Sequence, residues 1–171
     1  MENELPKRKP NRLKKFDYST NGAYFVTICT KNKECILGNI VGDGVLDVPK
    51  IHLSQYGEIV KERILEMAMV YDNVLIDKYI IMPDHIHLIV KIEGEFSLLN
   101  GTSRTPSSTN KTLPFFISTL KRLTNRKSGI QLWQRSYYDH IIRNDIDYQA
   151  IWEYVNSNTL KWQKDKFYTG D

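Results

Sequence analysis

The chain has few cysteines and no long apolar segment. Its two cysteines, Cys29 and Cys35, are too few and too ordinarily spaced to indicate a disulfide framework or a thiolate metal site. The apolar runs are far shorter than the ~20 residues that a membrane-spanning helix needs. Residues 1–10 are charged and lack the apolar segment of a signal peptide. These absences argue against membrane proteins and disulfide-rich secreted proteins, and we expect a cytoplasmic protein.

Positive charge is concentrated at the amino terminus. Residues 1–15 carry six basic and two acidic side chains, which matches the net charge of +4 of all 171 residues. A basic arm ahead of a neutral body often binds a polyanion, because phosphate neutralisation releases counterions. We therefore predict a polyanion-binding arm at residues 1–20. The alternative is a disordered tail that only increases solubility.

Hydrophobic periodicity predicts strands and helices in the rest of the chain. β-Branched and aromatic stretches indicate strands, whereas apolar residues at i, i+3, i+4 and i+7 indicate helices. Neighbouring strands with short connections then favour an antiparallel sheet with helices packed on it, an α+β fold. The predicted elements are strands at 23–30, 36–41, 45–48, 74–82 and 85–92, a strand-like stretch at 131–142, and helices at 54–69, from Leu113 to a stop at Gly129, and from a cap at Asn144 or Asp145 to about Asn158.

Two local compositions predict connections. Asp43 and Gly44 favour a tight hairpin turn between the strands at 36–41 and 45–48. Residues 101–112 are rich in Thr, Ser, Pro, Asn and Gly, which cannot bury enough apolar surface to fold alone. We expect a flexible loop there, inside a single domain of residues 21–171, since one core is enough for a chain of this length.

Two of the four histidines are paired at His85 and His87. The strand period of two places both imidazoles on one face, while Ile86 and Leu88 point to the core. Neighbouring imidazoles can bind one divalent ion through their neutral nitrogens. Two partly exposed histidines that merely share a face are the alternative.

The last predicted helix adds a phenol and an amide. Its apolar stripe is formed by Tyr148, Ile151, Trp152 and Val155, and Tyr154 lies off that stripe. Asn158 follows Tyr154 at i+4, so the two side chains are neighbours. If this face meets the histidine face, Asn158 becomes a third ligand and Tyr154 stands beside the ion. Without the histidines, Tyr154 would read as an ordinary half-buried tyrosine.

These residue types suit cleavage of a phosphodiester. A divalent ion, magnesium or manganese, neutralises and orients the phosphate, and Tyr154 can then attack in line. The resulting phosphotyrosine keeps the energy of the bond, because a phenol oxygen is also a tolerable leaving group. A released 3′-hydroxyl can attack that link, which permits strand transfer without ATP.

The chain resembles the single-tyrosine HUH transposases, and among them the REP-associated tyrosine transposases. The similar segments are NGAYFVTICT at 21–30, IMPDHIHLIV at 81–90, WQRSYYDH at 133–140 and EYVNSN at 153–158. Asn158 follows the REP-associated pattern, whereas simpler insertion-sequence relatives have glutamine there. Thr159 departs from the proline that REP-associated members often carry next.

The resemblance implies the fold, the site and the substrate. It implies a ferredoxin-like α+β fold (the HUH endonuclease fold), His85 and His87 as metal ligands, Asn158 as third ligand and Tyr154 as nucleophile. It also implies single-stranded DNA beside a small hairpin as substrate, attachment to the 5′ phosphate, release of a 3′-hydroxyl, and action as a monomer or homodimer. A host-retained, non-catalytic DNA-binding protein of the same fold is the alternative.

Basic and aromatic side chains suggest DNA contacts. In the arm, flexible basic residues can follow grooves and phosphates. The second predicted helix offers another basic surface, whose alternative is a solvated face. A third hypothesis is that Arg135 clamps a phosphate while Tyr137 stacks a base. The candidate DNA-contact residues are Arg8, Arg12, Lys14, Lys15, Lys121, Arg122, Arg126, Arg135 and Tyr137.

Two other enzyme classes fit less well. Replication initiators and plasmid-mobilising nicking enzymes share the chemistry but usually have longer chains. Phosphodiesterases with twin His-x-Thr or His-x-Ser motifs need a second motif, which the sequence after His140 does not supply.

Overall fold

The structure, a computed structural model, describes residues 17–18, 20–41, 49–94 and 112–164. Its centre is an antiparallel sheet of four strands in the order β4-β5-β1-β6, and β2 and β3 form a separate antiparallel ribbon. The elements are β1 (Gly22–Cys29), β2 (Gly38–Val41), β3 (Lys50–Leu53), α1 (Gln55–Val70), β4 (Val74–Ile81), β5 (His85–Ile92), α2 (Thr112–Ser128), β6 (Tyr138–Ile142) and α3 (Asp145–Asn156).

The helices begin and end where local chemistry requires. The hydroxyl of Ser54 accepts hydrogen bonds from the first turn of α1, and Oδ1 of Asn144 accepts one from the backbone N–H of Asp147 at 2.9 Å. Gly129 follows α2 with a φ of 74°, a left-handed conformation that glycine adopts without strain. The predicted helix starts and the predicted stop at Gly129 are thus confirmed.

Within the described ranges, no helix is long and apolar enough to cross a membrane.

Two elements of the structure have boundaries that differ from the predicted ones. The ribbon exists, but β2 pairs with Lys50–Leu53; the predicted strand at 45–48 and its turn lie outside the described residues. The strand-like stretch at 131–142 is a strand only over Tyr138–Ile142, because Trp133 makes an isolated bridge to Thr30 instead. Residues 1–16 of the arm also lie outside the described residues, as does the 101–112 loop apart from Thr112, the first residue of α2.

The period of two along the strands divides the sheet into two faces. One face carries apolar residues of β1 and β5 that pack against α1 and α2 in the larger core, among them Val26, Ile86 and Leu88. The other face contributes Phe25, Ile89 and Ile142 to a smaller cluster with Val155 of α3. We call the second one the α3 face. It also carries both histidines, because they alternate with Ile86 and Leu88 along β5.

Candidate active site

His85 and His87 lie side by side at the start of β5. Both side chains are fully buried, and their ring centroids are 4.4 Å apart. The two Nε2 atoms approach to 2.9 Å. The predicted pairing on one face is therefore present in the structure, although the histidines are buried rather than partly exposed.

Each imidazole is held through its other nitrogen. Nδ1 of His85 lies 2.5 Å from Oδ1 of Asp84, a carboxylate oxygen that can only accept, so Nδ1 is the donor. Nδ1 of His87 lies 2.9 Å from the hydroxyl of Thr27, which faces it across the β1–β5 pair. With each Nδ1 hydrogen-bonded in this way, the two Nε2 atoms face the same position.

Tyr154 reaches the same position from α3. Its hydroxyl lies 3.4 Å from Nε2 of His87. The ring of Phe25 stacks on His87 at 5.0 Å and meets the ring of Tyr154 edge-on at 5.9 Å. Asn158, two residues beyond the end of α3, is only 1% exposed. The structure thus brings the phenol to the histidine pair, as the sequence hypothesis required.

A polar cluster fastens α3 to the sheet near Tyr154. The hydroxyl of Tyr148 donates a hydrogen bond to Asp77, which also pairs with Lys91 at 3.3 Å. The ammonium of Lys78 lies 3.7 Å from the ring centroid of Trp152. These contacts fix the position of α3 and therefore the distance between Tyr154 and His87.

The donor set fits a divalent ion. Nitrogens 2.9 Å apart match the ~3 Å between adjacent ligands of an octahedral ion with bonds of ~2.1 Å. Oδ2 of Asp84, next to the pair, is also buried and accepts no hydrogen bond from the described residues. In the described part of the chain, no group of three or more His, Cys, Asp and Glu side chains could hold a metal. Asn158 as the third ligand stays a prediction.

Comparison with known proteins identifies the family to which the chain belongs. The family model described as "Transposase IS200 like" matches residues 18–158. The chain belongs to the IS200-like transposase family. An uncharacterized protein of Haemophilus influenzae is 35% identical over 94% of this chain and 93% of its own length.

This member of the family is similar in structure to a REP-associated tyrosine transposase that was solved bound to a REP hairpin. The TM-score of the two structures is 0.61. The likeness covers 91% of this chain and 77% of that one, at 17% identity. The predicted ferredoxin-like α+β architecture of the HUH type is thereby confirmed.

Only part of the candidate DNA-contact set lies within the described residues. Lys121 donates to the backbone oxygens of Gln134 and Ser136 at 2.9 and 2.8 Å, so it joins α2 to the segment before β6. Arg122 and Arg126 are exposed on α2, which packs on the sheet face opposite the histidines. A DNA contact by these three residues stays a prediction, and Arg8, Arg12, Lys14 and Lys15 lie outside the described residues.

The segment before β6 requires one correction. Arg135 is exposed, as a phosphate contact needs. Tyr137 is only 8% exposed and belongs to the larger core, so its ring is not available to stack a base. The reason is alternation: Tyr137 points to the α1 and α2 side, and its neighbour Tyr138 is exposed.

Several residues around the site were not singled out by the sequence. Asp84 precedes His85 directly, and this adjacency was a usable signal. Thr27 and Phe25 become visible only through the register of β1 against β5. The indole of Trp162, beyond α3, stacks against His85 with 6.0 Å between ring centroids. No sequence spacing indicated that contact.

Farther along the same face, His140 of β6 contacts the start of α3. Its Nε2 lies 2.9 Å from Oδ2 of Asp147. This hydrogen bond holds the pKa of Asp147 below its usual value of 3.8. The pair connects the edge strand of the sheet to the helix that carries Tyr154.

Proposed function

We propose that this transposase family member is a metal-dependent single-strand DNA endonuclease and strand transferase that forms a 5′-phosphotyrosine intermediate through Tyr154. The observation that carries the proposal is the approach of the Tyr154 hydroxyl to 3.4 Å from His87, inside a paired-histidine site. A nucleophilic phenol beside two convergent imidazoles is suited to phosphoryl transfer.

His85, His87 and Asn158 would hold the ion, magnesium or manganese. When bound, the ion neutralises a non-bridging phosphate oxygen and orients the phosphorus for attack. Asp84 and Thr27 keep Nδ1 of each histidine occupied, which directs both Nε2 atoms at the ion. The family membership supports this metal requirement, and the identity of the ion is part of the proposal.

Tyr154 performs the covalent step. Its oxygen loses a proton and forms a bond to phosphorus, while the bond from phosphorus to the 3′ oxygen breaks and that oxygen gains a proton. One phosphodiester replaces another, so a 3′-hydroxyl can later attack the phosphotyrosine and release Tyr154. Phe25, in contact with both rings, holds the phenol next to His87 during the exchange.

The proposed substrate is single-stranded DNA beside a hairpin, such as a REP-like sequence or an element end. Its support is the structural likeness to a transposase that was solved with a REP hairpin. The basic arm would add phosphate contacts. Since both histidines and Tyr154 come from one chain, we propose that a monomer can cleave, with a homodimer as the alternative, in the cytoplasm and on the nucleoid when DNA is bound.

The decisive experiment is a covalent-adduct assay. The protein is incubated with end-labelled hairpin DNA from the flanks of its own gene, with manganese or magnesium, and resolved on denaturing gels. We expect a protein–DNA band that needs metal and disappears in Tyr154→Phe. Tyr56→Phe is the matched control, because it removes a phenol hydroxyl from α1 on the opposite side of the sheet. Peptide mass spectrometry then identifies the attached residue.

Tight binding of several flanking hairpins without a covalent band would overturn the enzymatic proposal. That result would favour the alternative, a host-retained and non-catalytic DNA-binding protein of the same fold. An adduct that persists in Tyr154→Phe would instead show that another residue is the nucleophile.

A further inference from the structure

An exposed aromatic side chain lies in the same transverse row of the sheet as His87. In the strand registers, Tyr138 of β6 is the partner of Thr27 in β1, and Thr27 is the partner of His87 in β5. Paired residues in antiparallel strands point to the same face. Tyr138 therefore stands on the α3 face, two strand spacings or about 10 Å from His87.

The ring of Tyr138 is presented to solvent at this position. It is 38% exposed, whereas the neighbouring Tyr137 is buried. The two residues that share its row, Thr27 and His87, are buried, so Tyr138 is the member of the row that solvent reaches. β6 is also one of the two edge strands of the described sheet. A polymer that enters the site across this edge would pass over Tyr138.

His140 extends this surface along β6. It is two residues beyond Tyr138, on the same face, with a side chain that is 41% exposed. Its Nε2 is held by Asp147, which fixes the ring at the beginning of α3. An exposed tyrosine on an edge strand can reflect strand propensity alone. The row shared with His87 and the second ring beside it point to a ligand with aromatic faces.

We propose that Tyr138 is a stacking platform for a base of the single strand next to the scissile phosphate, with His140 at its flank. This inference rests on the proposed function, because it assumes that the scissile phosphate lies at the histidine pair. It moves the base-stacking role from Tyr137 to its neighbour. Stacking on an aromatic ring accepts any base, so Tyr138 would strengthen binding with little sequence preference.

The test measures binding separately from chemistry, in a Tyr154→Phe background. Oligonucleotides carry the hairpin and its single-stranded flank, with 2-aminopurine at one flank position at a time. We expect fluorescence quenching at one position next to the cleavage site. Tyr138→Ala should abolish this quenching and weaken binding about 5- to 150-fold, whereas Tyr138→Trp and Tyr138→Phe should restore both. Binding of the hairpin without its flank should not change.

The matched control is Leu75→Ala. Leu75 is an exposed apolar residue on the opposite edge strand, β4, and is paired with Lys91 on the α3 face. It should leave binding and quenching unchanged. In the active protein, Tyr138→Ala should raise KM more than it lowers kcat.

Three results would overturn the inference: unchanged affinity and quenching in Tyr138→Ala, an equal loss on the hairpin alone, or no binding that depends on the flank. Failure of the proposed function has a different signature. In that case the wild-type protein, which has Tyr154, forms no covalent adduct. The quenching and its dependence on Tyr138 can still be measured in the Tyr154→Phe background.

Discussion

The two faces of the central sheet come from the same strands but differ in what covers them. Two helices, α1 and α2, cover one face, where Val26, Ile86 and Leu88 are fully buried among apolar neighbours. Among the described residues, α3 packs on the other face, and the apolar cluster there is far smaller. That face also holds the histidine pair, Thr27 and Tyr138.

This difference separates stability from chemistry. The larger core supplies most of the apolar burial that drives folding. The smaller cluster under α3 leaves room for polar groups whose burial costs free energy unless they are hydrogen-bonded. Because neighbours on a strand face opposite sides, substitutions one residue apart should have different effects. His87 and Leu88 are the clearest such pair.

The largest expected effect is on activity, from His87→Ala. Under the proposed function, this change removes one ligand of the ion and the group nearest the Tyr154 hydroxyl. We expect no detectable covalent adduct and a loss of manganese binding by isothermal titration calorimetry. The free energy of unfolding should also fall, by about 1–3 kcal/mol, because the variant loses a fully buried ring that stacks on Phe25 and hydrogen-bonds Thr27. Retained metal binding in this variant would contradict the assignment of His87 as a ligand.

Leu88→Ala should show the converse. Leu88 is fully buried in the larger core, so truncation leaves a cavity and costs about 2–5 kcal/mol of unfolding free energy. Urea denaturation at 25 °C measures the loss. At temperatures where the variant is folded, its adduct yield with manganese should stay near the wild-type yield. If Leu88→Ala lost activity while folded, the two faces would not be independent.

Asp84 tests how the α3 face orients its histidines. Its carboxylate accepts from Nδ1 of His85, and its backbone oxygen accepts from the N–H and the hydroxyl of Thr30. Asp84→Ala removes the acceptor that fixes the tautomer, and we expect a 10- to 100-fold loss of manganese affinity. Asp84→Asn keeps an acceptor oxygen and should lose less. The same loss in both variants would show that charge matters more than ring orientation.

Much of this comparison could be predicted from the sequence, because it depends on local periods. Alternation along β5 placed His85 and His87 together, and the apolar stripe of the last helix left Tyr154 to one side. Helix caps and the stop at Gly129 are also local signals. These features need only a few neighbouring residues to be determined.

The remaining features depend on contacts between distant parts of the chain. Thr27 could be assigned to His87 only after the register of β1 against β5 was known. Alternation places Tyr137 and Tyr138 on opposite faces, but the pairing of β6 with β1 decides which of them is buried. Trp162, in the segment after α3, stacks against His85 across a long separation in sequence. None of these relations has a local sequence signature.

The smallest expected effect concerns the acid stability of the α3 face. The hydrogen bond from His140 lowers the pKa of Asp147 relative to the unfolded chain. A lowered pKa means that the folded state favours the ionised carboxyl, so this stabilisation is complete above about pH 4 and is lost as the pH falls further. Asp147→Asn should therefore cost on the order of 0.5 kcal/mol at pH 7 and progressively less below pH 4, measured by urea denaturation at each pH. Asp145→Asn is the control, because it removes an exposed carboxylate from the same helix turn, with a similar helix-dipole effect. Matching pH profiles for the two variants would mean that the helix dipole, and not His140, accounts for the effect, and that β6 does not help to hold α3 in place.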